Sequence, residues 1–111
     1  MQRFVFIIRG PVNGISTEEI LASEQELEKI REWLKGLKET YQDMLFQKLG
    51  SQQQVRNQNG LVENRISNLI DGGEISQLLT LILPNFEEAQ KIASSFPFPS
   101  GFYSLELREL I

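Results

Sequence analysis

The sequence predicts an α+β fold, a mostly antiparallel sheet with two helices on one of its faces. Three observations predict it. Phe4-Val5-Phe6-Ile7-Ile8 and Leu78-Leu79-Thr80-Leu81-Ile82-Leu83 are nearly all apolar and are stopped by Gly10-Pro11 and by Pro84, as buried strands are. Two other stretches carry helical periodicity behind a capping pattern. The elements follow one another as strand, helix, strand, strand, helix, strand, with a small hairpin between the middle strands. With 111 residues and no visible linker or repeat, residues 1–111 read as one domain.

The first strand is apolar on both faces, because alternate residues of a strand point to opposite sides of the sheet. Gly10-Pro11-Val12-Asn13-Gly14 then reads as a plain turn, without the lysine of a phosphate loop or the spacing of a dinucleotide fingerprint. Ser16 stands three residues before Glu19 as a capping box. The helix behind it has the stripe Ile20, Leu27, Ile30, Leu34, Leu37 and Tyr41, widened by Leu21 and Trp33. Glu18, Glu19, Glu24, Glu26 and Glu28 precede Lys29, Arg31, Lys35 and Lys38, an order that suits the helix dipole and marks a solvated face.

Met44 to Leu49 reads as a short strand ended by Gly50. Asn59-Gly60 is a tight-turn signal joining Val55-Arg56 to Leu61-Val62 as a peripheral hairpin. The surrounding glutamines and asparagines would suit a sugar or a base, but a surface hairpin is the plainer reading. Asp71-Gly72-Gly73 leads into the strand Ile75 to Leu83. Asn85, with Glu88 three residues on, caps a short helix whose apolar side is Phe86, Ala89, Ile92, Ala93 and Phe96; Pro97 and Pro99 break it. In the closing strand, Phe102 to Leu110, Tyr103, Leu105 and Leu107 share one face and Ser104, Glu106 and Arg108 the other. This order is the split βαβ pattern of a ferredoxin-like domain. Two helices cover one sheet face only, so the apolar second face needs another cover, and a second copy of the chain is the simplest.

Composition narrows the function. Apolar content of 41% and charged content of 23% suit a globular chain with a packed core. A net charge of −4 supplies no basic footprint, so nucleic acid is not an expected partner. The absence of cysteine removes thiol catalysis, disulfides and thiolate metal sites, and the absence of histidine removes the commonest general base and transition-metal ligand. No metal and no cofactor are expected. No stretch reaches the roughly twenty apolar residues of a membrane span. The opening apolar run is too short for a signal peptide, so the expected place is the cytoplasm.

Four segments resemble the YCII-related, or DGPF, domain family. Arg3-Phe4-Val5-Phe6-Ile7-Ile8-Arg9-Gly10 is similar to its first strand, and Trp33-Leu34-Lys35-Gly36-Leu37 to the tryptophan segment of its first helix. Leu81-Ile82-Leu83 with Phe86-Glu87-Glu88-Ala89 resembles its passage from strand to second helix, and Ser104-Leu105-Glu106-Leu107-Arg108 its closing strand. Together they span nearly the whole chain, though each is generic. The resemblance implies a ferredoxin-like unit that pairs, sheet face to sheet face, into a dimeric α+β barrel around a cavity. The family's proposed active site joins a first-helix histidine to the aspartate of Asp-Gly-Pro-Phe. Here Glu26 stands where the histidine is expected, Glu63-Asn64-Arg65-Ile66 occupies the motif's neighbourhood, and Asp71-Gly72 comes later without Pro-Phe.

Several residues are candidates for a ligand site. Glu26 would serve as a base if buried near a cavity, although an exposed helix glutamate is the plainer reading. Arg9 and Arg65 suit an anionic ligand, against the plainer reading of surface or ion-paired arginines. Trp33 and Tyr103 suit a stacking pocket, against membership of the core. Asp71 with Glu74 is better explained by a turn than by a cation. The leading expectation is a noncatalytic homodimer that binds a small, partly apolar molecule or acts as an accessory protein. The alternative is a divergent lyase, isomerase or monooxygenase-like enzyme acting on a small organic acid or quinol through glutamate or tyrosine groups. A third reading has the open sheet face bind a different protein.

Overall fold

The computed structural model describes residues 1–10, 17–49, 55–58, 61–64, 75–97 and 101–111. The elements are β1 (Gln2–Arg9), α1 (Thr17–Thr40), β2 (Leu45–Lys48), β3 (Val55–Gln58), β4 (Leu61–Asn64), β5 (Ile75–Leu83), α2 (Phe86–Ser94) and β6 (Ser104–Leu110). β2, β5, β1 and β6 form, in that order, an antiparallel sheet; β3 and β4 pair separately as the expected hairpin. The strand between β1 and β2 is β5, so the first βαβ unit is split, in an arrangement compatible with a ferredoxin-like domain. The Asn59-Gly60 and Asp71-Gly72-Gly73 turns, the Ser16 cap and the loop after Gly10 fall outside the described residues.

Phe4, Phe6 and Ile8 of β1 pair with Leu81, Leu79 and Gln77 of β5, and directly opposed residues share a face. That face is the core. Ile30 and Leu34 of α1 and Ala89 and Ile92 of α2 join the same buried cluster, so both helices lie on this side. Leu105 and Leu107 point to it as expected, opposite Ile8 and Phe6. Full burial of a side chain such as Phe4 or Leu79 contributes about 1.5–3 kcal/mol, which makes this layer the main source of stability.

Local chemistry fixes the helix ends. The Glu88 amide donates to Asn85 Oδ1 at 2.9 Å, the expected N-cap of α2. At its other end Ser95 Oγ donates to the Ile92 carbonyl and accepts from Trp33 Nε1 at 2.8 Å. Trp33 also meets Phe96 edge-on, with ring centroids 5.4 Å apart, so the tryptophan ties α1 to the end of α2. Lys38 Nζ donates to the carbonyls of Gln42 and Met44 and closes the turn from α1 into β2.

The α1 stripe departs from its expected course in its first half. Leu21 is 59% exposed rather than part of the stripe. It precedes Ile30 by nine residues, about two and a half turns, and so faces away from the core. Among the described side chains the buried positions are Ser23, Glu26, Ile30 and Leu34, with Leu27, Trp33, Leu37 and Tyr41 partly buried beside them. Before Ile30, the buried positions among the described side chains are therefore polar.

Candidate functional site

Polar groups gather at one end of the helix–sheet layer. Glu26 is only 9% exposed, which corrects the exposed-helix reading. Its position four residues before Ile30 puts it on the buried face, and its Oε1 accepts the backbone N–H of Phe102 at 2.9 Å. Gly101 makes that approach feasible, since a Cβ there would stand 2.1 Å from Glu26 Oε1. Gly10 closes the corner with φ of +118°, and a Cβ on it would lie 2.4 Å from the Phe102 carbonyl oxygen.

Tyr103 is 6% exposed and belongs to the core cluster. Burial pushes its phenol pKa up, the Glu26 carboxylate adds to the rise, Arg31 opposes it and Glu24 contributes a little more. The phenol is thus held protonated at neutral pH. Gln77 is 7% exposed on the same face, and its Oε1 is buried with no hydrogen-bond partner among the described residues. It opposes Ile8, one residue before a bulge at which the Ser76 hydroxyl donates to the Ile8 carbonyl.

The second polar group lies across the sheet. Arg9 Nη2 is 3.5 Å from Glu106 Oε1, and Arg108 Nε donates to Glu106 Oε2. The hydrogen bond from Arg108 holds the Glu106 carboxyl below the usual carboxylate range, helped by the charge of both arginines. This triad sits on the face that neither helix occupies.

Glu26 and Tyr103 are therefore brought together, Trp33 lies two turns along the same helix against Phe96, and Arg9 is on the opposite face. Arg65 falls outside the described residues, as do Asp71 and Glu74. Sequence reading overlooked Gln77, although it is in phase with Leu79, Leu81 and Leu83. It also overlooked the joining of Arg9 to Glu106 and Arg108, which depends on register. No helix among the described residues is long and apolar enough to cross a membrane. No protein-family model matches the chain, and no curated protein is similar to it.

Proposed function

We propose that two copies of the chain pair through their open sheet faces as a dimeric α+β barrel of YCII-like type, and that the pair binds a small, partly apolar molecule without catalysing a reaction. The observation that carries this reading is the open face itself. Val5 and Ile7 of β1, Leu78 and Ile82 of β5 and Leu45 of β2 lie on it, and Leu45 and Ile82 are exposed. A contiguous apolar surface of this kind marks an interaction site. A stable pairing would bury on the order of 1,200 Å² or more. The noncatalytic part is supported by Glu26. The carboxylate standing at the family's histidine position is engaged by the Phe102 amide, which is a structural task.

Light scattering at micromolar concentration tests the pairing. The expected mass is twice the 12.8 kDa of the chain, and Ile7→Glu, which leaves the helix side untouched, is expected to halve it while preserving the circular dichroism. A wild-type chain that remains monomeric refutes the reading. The second reading, an enzyme, is favoured by the buried Tyr103 phenol, which follows the Phe102 amide bound by Glu26 and feels the charge of that carboxylate. It requires the pair to exchange protons with a ligand. A phenol held protonated at neutral pH can donate but is a poor base. Tyr103→Phe with unchanged turnover of a candidate organic acid would remove that reading.

A further inference from the structure

The open face is not uniformly apolar. Arg3, Val5, Ile7 and Arg9 of β1 stand opposite Leu110, Arg108, Glu106 and Ser104 of β6, in that order. On the other flank, Ile7 and Val5 oppose Leu78 and Thr80 of β5, which in turn oppose Gln47 and Leu45 of β2. Neighbouring strands lie roughly 4.8 Å apart, so an apolar strip roughly 10 Å wide ends at guanidinium groups on the β6 side. The charges of the four strands on this face are Arg3, Arg9, Arg108 and Glu106. One carboxylate serves two guanidiniums, and Arg3 has no ion-pair partner among the described residues. Among the described residues, the four strands make this face positive by two charges on a chain whose net charge is −4. Solubility alone gives no reason for that segregation.

We infer that the paired faces take an amphipathic organic anion, with its head on Arg9 and Arg108 and its apolar body on Val5, Ile7 and Leu78, and that this anion strengthens the pair. Guanidinium forks match the planar, charged oxygens of such a head. Two positive faces brought together repel each other most where water is excluded, and a bound anion removes the repulsion. The assembly half of the inference rests on the pairing proposed above; the binding half rests on the face of a single chain.

The test uses the full chain and two fluorescent probes that brighten in apolar surroundings: anilinonaphthalene sulfonate and its neutral counterpart phenylnaphthylamine. Saturable binding of the sulfonate is expected, weakened about fivefold or more in Arg9→Gln and in Arg108→Gln. Glu106→Gln frees both arginines and is expected to tighten binding severalfold with unchanged near-ultraviolet circular dichroism, whereas a loosened fold would lose that signal and brighten both probes. The neutral probe should bind more weakly and respond to none of these changes. Sulfonate binding that is equal in all variants, or matched by the neutral probe, overturns the inference. Light scattering is recorded in parallel at concentrations dilute enough to dissociate the pair, and saturating sulfonate is expected to shift the wild type back towards dimer. A dimer whose sulfonate binding ignores the arginines refutes the anion site and leaves the pairing intact. A persistent monomer whose sulfonate binding follows the arginines refutes the pairing and leaves the anion site intact.

Discussion

Removing the Glu26 carboxylate tests the corner where α1 meets the segment leading into β6. The Phe102 N–H loses its charged acceptor in Glu26→Ala, and hydrogen bonds to charged groups contribute about 1.5–3 kcal/mol. The bond is partly buried, so a loss of about 2 kcal/mol is expected, or about 8 °C in Tm for a domain of this size. Gly101→Ala should cost a similar amount for a related reason. Its new methyl would stand 2.1 Å from Oε1 and can be accommodated only by pushing the flexible carboxylate off the Phe102 amide. The backbone at Gly101 is not left-handed, so alanine adds no conformational strain there. Both substitutions break one hydrogen bond, and the double variant has no carboxylate left to clash. It should lose about 2 kcal/mol rather than the roughly 4 of an additive pair, a coupling of about 2 kcal/mol. Urea unfolding followed by the fluorescence of Trp33, the only tryptophan, measures all four species. Additive losses, or a Glu26→Ala variant as stable as wild type, would falsify the assignment of this carboxylate to the loop.

The remaining expectations concern the same layer. Gly10→Ala forces a side chain onto a left-handed backbone and against the Phe102 carbonyl, and should cost about 3 kcal/mol in urea unfolding. Gln77→Met replaces a buried amide whose oxygen has no partner among the described residues, and should raise the unfolding free energy by about 1 kcal/mol; a loss of that size would refute the reading of an unsatisfied oxygen. Tyr103 has a raised phenol pKa, so the folded state keeps its proton longer than the unfolded chain does. Its contribution is fully present below the ordinary value of about 10 and is lost as pH rises towards the folded value. Stability should therefore fall more steeply above that pH in wild type than in Tyr103→Phe, as measured by urea unfolding across an alkaline series.

Most of the architecture was legible because its signals are periodic. Ile75–Leu83 and the Asn85 cap could be read directly, since an apolar run stopped by proline and a side chain placed three residues before a helical amide are local facts. The face assignment of Leu105 and Leu107 was likewise a matter of alternation. Glu26 was misjudged because its residue type outweighed its position. Four residues before Ile30 and eight before Leu34, it falls on the buried stripe, and helix phase rather than polarity decided its burial. Gln77 was concealed in the same way by the leucines it alternates with. The Arg9–Glu106–Arg108 triad had no local signal at all. It exists because β6 returns beside β1 in one register, and a shift of a single residue would have placed Glu106 among the core leucines.

The two polar clusters divide the sheet by task. On the helix side a glutamate is consumed inside the fold, binding a backbone amide. On the open side one glutamate serves two of the three arginines, and the strands retain positive charge to spare. The apolar contribution on that side is close to what association requires. Val5, Ile7 and Leu78 are half-buried and Leu45 and Ile82 are exposed, so completing their burial is worth about 1 kcal/mol each, or about 10 kcal/mol for two faces. Immobilising two partners costs an estimated 4–15 kcal/mol, and the two terms nearly cancel. With hydrophobic burial so nearly balanced, the charges set how tight the pair is. Four uncompensated positive charges on two facing sheets weaken the pair, and an anion between them reverses the effect. A chain built in this way would pair more tightly with its ligand than without it.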